Sequence, residues 1–328
     1  MIVTNIETFA MKAVEKRAAL FDSTETNCFR LINDEADGLA GLIVDRFADY
    51  LLVYSFDGKI LDKQSSNISL KKEYNDALIA VSKKLPFTVS GILLKNREKL
   101  AGKQDFVNER RSTLVQGNHP PSDFSVKQNG IKVYADLVEG QSTGIFLDMR
   151  EIRGSLTDFY ANSNVNDMLN LFCYTGLFSI HALQNGVRHA LNVDISKTVL
   201  NRARDNYILN GLHTDERDFI YGDAIDWLRR FAKKDSGFSM AVIDPPTFSR
   251  NKKRNFSVRE NYSDCLDKLS IIVEGGYIFS SVNTFTVSKE EYMSYHPKSW
   301  KLLAYYNESL DFLLPGKPYL KAGLWEVR

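Results

Sequence analysis

Asp167-Met-Leu-Asn-Leu-Phe-Cys-Tyr-Thr-Gly176, continuing as Leu-Phe-Ser-Ile-His-Ala-Leu183, decides the fold of this 328-residue chain. An apolar run of strand length enters a tight turn at Gly176 and leaves as a helix. The switch recurs twice downstream, ending at Asp194 and at Asp223. A fourth apolar run, Phe238-Ser-Met-Ala-Val-Ile243, delivers Asp244-Pro245-Pro246 at its C-terminal end. Strands alternating with helices predict a parallel α/β sheet, in which ligands bind outside the C-terminal ends of the strands. The four ends are therefore expected to converge on one crevice.

The residues at these ends select a cofactor. A dinucleotide site needs G-x-G-x-x-G so that bare backbone can approach a pyrophosphate. Only Gly176 is present here, and Phe172 and Tyr174 stand where side chains would obstruct phosphates. That pattern suits an adenosine cofactor without phosphate, S-adenosyl-L-methionine. Asp194 is placed to accept the ribose hydroxyls, with Ser196 capping the helix that follows; Asp223 and the Ala224 amide can pair with the adenine edge. Taken singly, each acid reads equally well as a helix cap; together, at successive strand ends, they favour a ligand. In Asp244-Pro245-Pro246-Thr247-Phe248 two prolines fix the backbone and remove two amides, so outward carbonyls can hold a flat substrate on which Phe248 stacks. Arg250, Lys252, Lys253, Arg254 and Arg259 then form a basic loop, from Ser249 to Arg259, suited to phosphates.

Composition bounds the rest. With 42 basic against 41 acidic residues the net charge is +1, so RNA binding must come from local clusters. Cys28, Cys173 and Cys265 lie far apart with neither metal-ligand nor redox spacing, which predicts no metal site and a reducing compartment. The N-terminal segment carries acid where an export signal has base, and no apolar run reaches the roughly 18 residues of a membrane helix. A cytoplasmic protein with no membrane partner is the expectation, with a homodimer left open.

Upstream, residues 1–22 read as a helix, Cys28–Ile32 as a strand, and Leu42–Val44 with Leu51–Tyr54 as a hairpin. Tyr74, Leu78, Val81 and Leu85 give a helix stopped by Pro86, and Val89–Leu94 a further strand. Gly117-Asn-His-Pro-Pro-Ser122 continues neither kind of element and reads as the domain boundary. Beyond it, Asn129-Gly130 supplies the turn of a tight hairpin, and Asp148 is placed to cap a helix with Ile152, Leu156 and Phe159 on one face. Residues 300–305 and 319–327 read as a closing antiparallel pair.

Several stretches together carry a family resemblance: Arg30-Leu-Ile, Asp37-Gly-Leu-Ala-Gly-Leu-Ile-Val-Asp-Arg46, Thr143-Gly-Ile-Phe-Leu-Asp-Met-Arg150, Asn170-Leu-Phe-Cys-Tyr-Thr-Gly176, Val193-Asp194, Asp244-Pro-Pro-Thr-Phe-Ser249 and Tyr319-Leu-Lys-Ala322. The chain resembles the class I methyltransferases of bacterial 23S ribosomal RNA, in particular the 5-methylcytosine branch and the related 7-methylguanine domain. The resemblance implies a Rossmann-like α/β fold, with a seven-stranded methyltransferase sheet over residues 119–328 preceded by a small α/β domain, 1–118, on the RNA side. It implies donor contacts from Thr143, Phe146, Asp148 and Arg150, the last toward the methionine carboxylate, and from the loop carrying Asn170, Phe172, Tyr174, Thr175 and Gly176. It also implies catalytic positions at Asp244, Pro245, Phe248 and Asn283.

The chain departs from the 5-methylcytosine enzymes in two respects. Its first segment matches their middle domain, so their RNA-binding PUA domain is expected to be missing. Where they carry a nucleophilic cysteine after the fifth strand, this chain reads Ser281-Val282-Asn283-Thr284. Cytosine C5 needs thiolate addition at C6, whereas guanine N7 already has a lone pair, so a heteroatom acceptor is expected. Exocyclic amino methylation and a catalytically silent RNA adaptor are the competing readings; the missing glycines disfavour a nicotinamide enzyme.

Overall fold

The computed structural model describes residues 2–62, 68–97, 111–140, 142–234, 237–250, 255–314 and 316–328. They fall into two compact units, one of Met1–Arg150 with Ser309–Pro315, the other of Glu151–Glu308 with Gly316–Arg328.

The first unit begins with helices α1 (Ile2–Lys16) and α2 (Ala18–Phe21) and strands β1 (Cys28–Asn33), β2 (Ile43–Phe47) and β3 (Tyr50–Ser55). A short pair, β4 (Leu61–Asp62) and β5 (Ser69–Leu70), precedes α3 (Lys72–Ser82), β6 (Gly91–Asn96) and β7 (Thr113–Gly117), and a hairpin follows of β8 (Ser125–Gln128) and β9 (Ile131–Tyr134). The main sheet has the order β1-β2-β3-β6-β7. Only β3 and β6 run parallel in it, as the crossover through α3 requires. Ala10, Leu31, Val53, Leu78 and Leu94 share its core. Asn129 and Gly130 turn the hairpin with φ of 51° and 80°, the left-handed pair that a two-residue turn demands.

The division of the chain falls at Arg150/Glu151 and not at 118/119, and hydrogen bonding explains why. The hairpin is tied back to the first unit by Asn27 N to Lys127 O (2.9 Å) and Gly130 N to Glu25 O (2.9 Å). Arg150 is held there by Asp311, whose oxygens lie 2.8 and 3.0 Å from its guanidinium nitrogens.

The second unit contains α4 (Arg150–Asn162) beyond its first residue, β10 (Asp167–Leu171), α5 (Leu177–Gln184), β11 (His189–Asp194), α6 (Lys197–Leu209), β12 (Phe219–Tyr221), α7 (Ala224–Lys233) and β13 (Met240–Ile243). It continues with β14 (Phe248–Arg250), β15 (Asn255–Ser257), α8 (Val258–Ile272), β16 (Tyr277–Asn283), α9 (Lys289–Ser294), β17 (Lys301–Tyr306) and β18 (Leu320–Glu326). The sheet order is β12-β11-β10-β13-β16-β18-β17. The first five strands are parallel, and β18 lies antiparallel between β16 and β17. This is the expected seven-stranded sheet with its closing antiparallel pair. Met240, Ala241, Val242 and Ile243 are all fully buried, as befits a parallel strand covered on both faces. Leu169, Leu171, Ala241 and Ile243 pack with Leu266 and Leu269 of α8, each leucine or isoleucine contributing roughly 1.5–3 kcal/mol.

The sequence reading of a basic loop from Ser249 to Arg259 needs correction. Its two ends pair as an antiparallel ribbon, Phe248 opposite Ser257 and Arg250 opposite Asn255. Phe256 anchors it, buried at 4% exposure against Phe172, with ring centroids 5.5 Å apart.

Candidate active site

The order of the second sheet reverses between β10 and β13, and the crevice of an open α/β sheet opens at such a point. The registers fix what lines it. Val193, Leu171, Ile243 and Ser280 form one row across four strands. The next residues along, Asp194, Phe172, Asp244 and Ser281, therefore form the rim, with Tyr221 beside Asp194 on β12. At about 4.8 Å between strands, Asp194 and Asp244 stand roughly 10 Å apart across the rim.

The loop after β10 is wound tightly. Phe172, Tyr174 and Gly176 all take positive φ, at 56°, 50° and 81°. Two non-glycine residues in the left-handed region within three positions mark a strained turn, of the kind that accumulates at ligand sites. Asp194 holds it: the carboxylate accepts Tyr174 N at 3.1 Å and Ser196 N at 2.9 Å. Burial pushes this carboxyl above its usual value, against the pull of the Ser196, Tyr174 and Ile195 amides. Three amides do not fill the roughly four acceptor sites of a carboxylate, so Asp194 is a half-buried acid with one acceptor site to spare. Gly176 suits this position because of its φ of 81°, and a Cβ there would also crowd the Ala203 Cβ at 3.3 Å.

Ser196 caps α6, accepting Val199 N at 3.3 Å. Asp223 caps α7, accepting Ile225 N at 2.9 Å and Asp226 N at 3.2 Å, and Ala224 behind it is buried. Asn170 turns away from the crevice. At 1% exposure, it donates to Ser179 Oγ at 2.8 Å, which donates to Asn192 Oδ1 at 2.7 Å, and Asn192 donates to the Tyr207 hydroxyl at 2.9 Å. Thr175 is buried too, its carbonyl accepting Asn206 Nδ2 at 3.1 Å. The assignment of Asn170 to ligand contact is thus corrected: its side chain, like the Thr175 carbonyl, fastens β10, β11, α5 and α6 behind the loop.

On the other side of the switch point, the Ser281 hydroxyl donates to Asp244, and Thr247 Oγ1 donates to the Asn283 carbonyl at 2.6 Å. The ends of β13 and β16 are thereby locked together, with Pro245 buried and Pro246 exposed. Lys321 Nζ donates to the Thr284 carbonyl at 2.8 Å, bracing the segment after Asn283. No thiol reaches this rim. Cys28 lies in the first unit, Cys265 is buried on α8, and burial pushes its thiol up to about 12. Cys173 is buried beneath the loop, and burial together with the Asp194 charge pushes its thiol well up.

The residues assigned by resemblance to the donor site upstream lie in the first unit. Thr143 is buried, its hydroxyl donating to the Ile145 carbonyl at 3.3 Å. Phe146 is 46% exposed. Asp148 sits in a single 3-10 turn, Leu147–Met149, before α4, its carbonyl accepting Ser309 N at 2.9 Å. Arg150, expected to await a carboxylate ligand, already has one in Asp311, a correction that follows from burial, since a buried guanidinium needs a partner. Of the basic residues, Arg259 is spent on Glu291 at 3.0 Å and on the Thr286 carbonyl at 2.5 Å. Lys252, Lys253 and Arg254 lie outside the described residues, as do the side chains of Phe248 and Arg250.

Sequence reasoning missed Ile195 and Tyr221, which are 49% and 55% exposed beside Asp194. The signal was an apolar residue immediately after the strand-end acid. It also missed Ser281, which three consecutive polar or small positions after a strand do not distinguish. Among the described residues no cluster of acids, histidines and cysteines could hold a metal, and no helix is long and apolar enough to cross a membrane.

A family model described as S-adenosylmethionine-dependent methyltransferase matches residues 102–299. YwbD of Bacillus subtilis (strain 168), named for ribosomal RNA large subunit methylation, is 32% identical over 291 residues, 88% of this chain and 69% of that protein. Ribosomal RNA large subunit methyltransferase I of Aeromonas salmonicida (strain A449) is 29% identical over 270 residues, 82% of this chain but only 64% of that protein. Among solved structures, SMU.776, described as a methyltransferase in complex with SAH, superposes with a TM-score of 0.83 at 25% identity, covering 99% of this chain and 82% of that one. The sheet order, the loop gripped by a strand-end acid and these matches agree: the chain belongs to the family of S-adenosylmethionine-dependent methyltransferases.

Proposed function

We propose that this chain methylates a base in RNA, within ribosomal RNA, by direct transfer to a ring heteroatom of the guanine N7 kind, without a cysteine nucleophile. The observation that carries the reading is the rim itself, with a half-buried acid of spare acceptor capacity at one end and Asp244-Pro245-Pro246, locked to Ser281 and Asn283, at the other. The naming of the relatives for ribosomal RNA supports the substrate class.

The residues fit the donor. Phe172 and Tyr174, in left-handed conformations, crowd out a pyrophosphate but leave Asp194 able to accept a ribose hydroxyl, with Ile195 and Tyr221 exposed where a flat purine needs covering. When bound, S-adenosylmethionine supplies an electrophilic methyl group. The protein's part is to align the acceptor. Asp244, oriented by Ser281, and the Asn283 amide grip the Watson-Crick edge of an extruded base, which leaves guanine N7 exposed. N7 needs no deprotonation and no covalent activation, which is consistent with a rim that no thiol reaches. The short reach of Thr247, whose hydroxyl is already bonded to the Asn283 carbonyl, argues against the amino-methylating alternative, where an aromatic would occupy that position.

The test is methyl transfer from radiolabelled donor to unmodified ribosomal RNA. Asp244→Ala should abolish transfer while affinity for the demethylated donor product changes much less. Transfer by Asp244→Ala at the wild-type rate would show that the acceptor is gripped elsewhere.

A further inference from the structure

In the first unit, Tyr54 stands opposite Lys95 and Ser55 opposite Asn96. The residues just beyond, Phe56 and Arg97, therefore leave the C-terminal ends of β3 and β6 side by side, joined by Arg97 N to Ser55 O at 2.7 Å. Phe56 is 55% exposed, and its ring stacks on Tyr54 with centroids 6.1 Å apart and planes inclined at 20°. A large aromatic ring in water, backed by a second ring, is a preformed surface for another flat group.

The cations at the same edge are poorly compensated. Lys95 is fully buried, and among the described residues its ammonium donates to the Glu139 carbonyl alone, at 3.4 Å. Burial and then the neighbouring Arg97 charge pull that ammonium down to about 8, and burial also lowers Arg97. Among the described residues neither forms an ion pair with a carboxylate, and the Asp136 and Glu139 charges offset the loss at Lys95 only in part. Glu139 pairs with Arg111 at 3.1 Å, and Asp136 accepts the amides of Val138 and Glu139. Two like charges held together and partly removed from water destabilise the fold, and an anion would relieve both. An acidic peptide would satisfy the charges and leave the ring unused. Single-stranded RNA uses both, because each nucleotide couples a π face to a phosphate.

We infer that the C-terminal ends of β3 and β6 form a landing site for single-stranded RNA, with Phe56 stacking on a base and Arg97 contacting the adjoining phosphate. The inference rests on the RNA substrate proposed above and names a second surface that engages it. The experiment titrates the full chain with a fluorescein-labelled oligouridylate of about 12 nucleotides, read by fluorescence anisotropy at several salt concentrations. Calorimetric binding of the demethylated donor product checks that each variant is folded.

Phe56→Ala should weaken RNA binding about 5- to 150-fold, and Phe56→Tyr should restore it. Arg97→Gln should lower the slope of log affinity against log salt by about 0.7, one single-strand phosphate. If the wild type binds the RNA and transfers methyl while both variants bind like wild type, this surface is wrong and the functional reading stands. A wild type that transfers methyl to ribosomal RNA but binds no oligouridylate overturns this surface alone, and one that does neither overturns both. If Arg97→Gln loses a polyglutamate peptide but keeps RNA, the partner is an acidic protein and the inference falls.

Discussion

Replacing Asp194 by alanine should cost the second unit its donor site, and the size of the loss follows from the geometry. The carboxylate accepts Tyr174 N at 3.1 Å and Ser196 N at 2.9 Å, yet burial still leaves its carboxyl above the usual value. The free protein thus keeps a charge that its surroundings disfavour, which is expected when the remaining acceptor capacity is reserved for a ligand. Losing a charge-assisted hydrogen bond to a ribose hydroxyl corresponds to about 1.5–3 kcal/mol, or roughly 10- to 150-fold in affinity. Freeing Tyr174 adds to this, because a non-glycine residue held at positive φ relaxes at a gain of about 1 kcal/mol and must be wound back on binding. Asp194→Asn keeps the shape and one acceptor and should fall between. Calorimetric titration with the demethylated donor product gives the affinities, and thermal melting of the same samples gives stability. Affinity should fall far more than stability. A donor role for Asp194 is refuted if both variants bind within twofold of wild type, or if the loss in binding only mirrors a loss of global stability, which would make Asp194 a prop for the loop and nothing more.

RNA substituted with 5-fluorocytosine should form no covalent complex on denaturing gels, because all three thiols are buried; a trapped band would restore a cysteine mechanism. Burial pulls the imidazoles of His181 and His296 down to about 4, whereas the unfolded chain titrates near 6.5. Between those values the unfolded state binds protons that the fold refuses, so stability falls as pH drops from about 6.5 to 4, by up to about 1.4 kcal/mol per pH unit for each histidine, and is unaffected by them above that window. Urea unfolding at pH 7 and pH 5 measures it, and a His296→Gln variant whose pH dependence matches wild type would remove that residue from the account.

Which parts were legible in the sequence has a physical pattern. The parallel strands were, because a strand buried on both faces must be an apolar run, and Gly176, Asp194, Asp223 and Asp244 punctuate the runs where the chain turns. The Asn129-Gly130 hairpin was legible because few other dipeptides tolerate two positive φ angles. The unit boundary was not: what keeps residues up to Arg150 in the first unit is Asp311, 161 positions away, and no local pattern announces such a pair. The same holds for Asn170, whose amide is claimed by a buried chain of hydroxyls and amides reaching Tyr207. A charge run reads as loop, so the ribbon pinned by Phe256 was hidden by the lysines and arginines beside it. Phe56 and Arg97 were invisible for another reason: 41 positions separate them in sequence, and only the parallel pairing of β3 with β6 makes them neighbours.

The measurement that bears most directly on the account is mass spectrometry of ribosomal RNA nucleosides from cells with and without the gene for this chain. The account predicts that one methylated base disappears in the absence of the gene, that it is a heteroatom-methylated purine of the 7-methylguanosine kind, and that wild-type protein but not Asp244→Ala restores it. Loss of 5-methylcytidine would contradict the direct-transfer mechanism, and an unchanged nucleoside profile would contradict ribosomal RNA as the substrate.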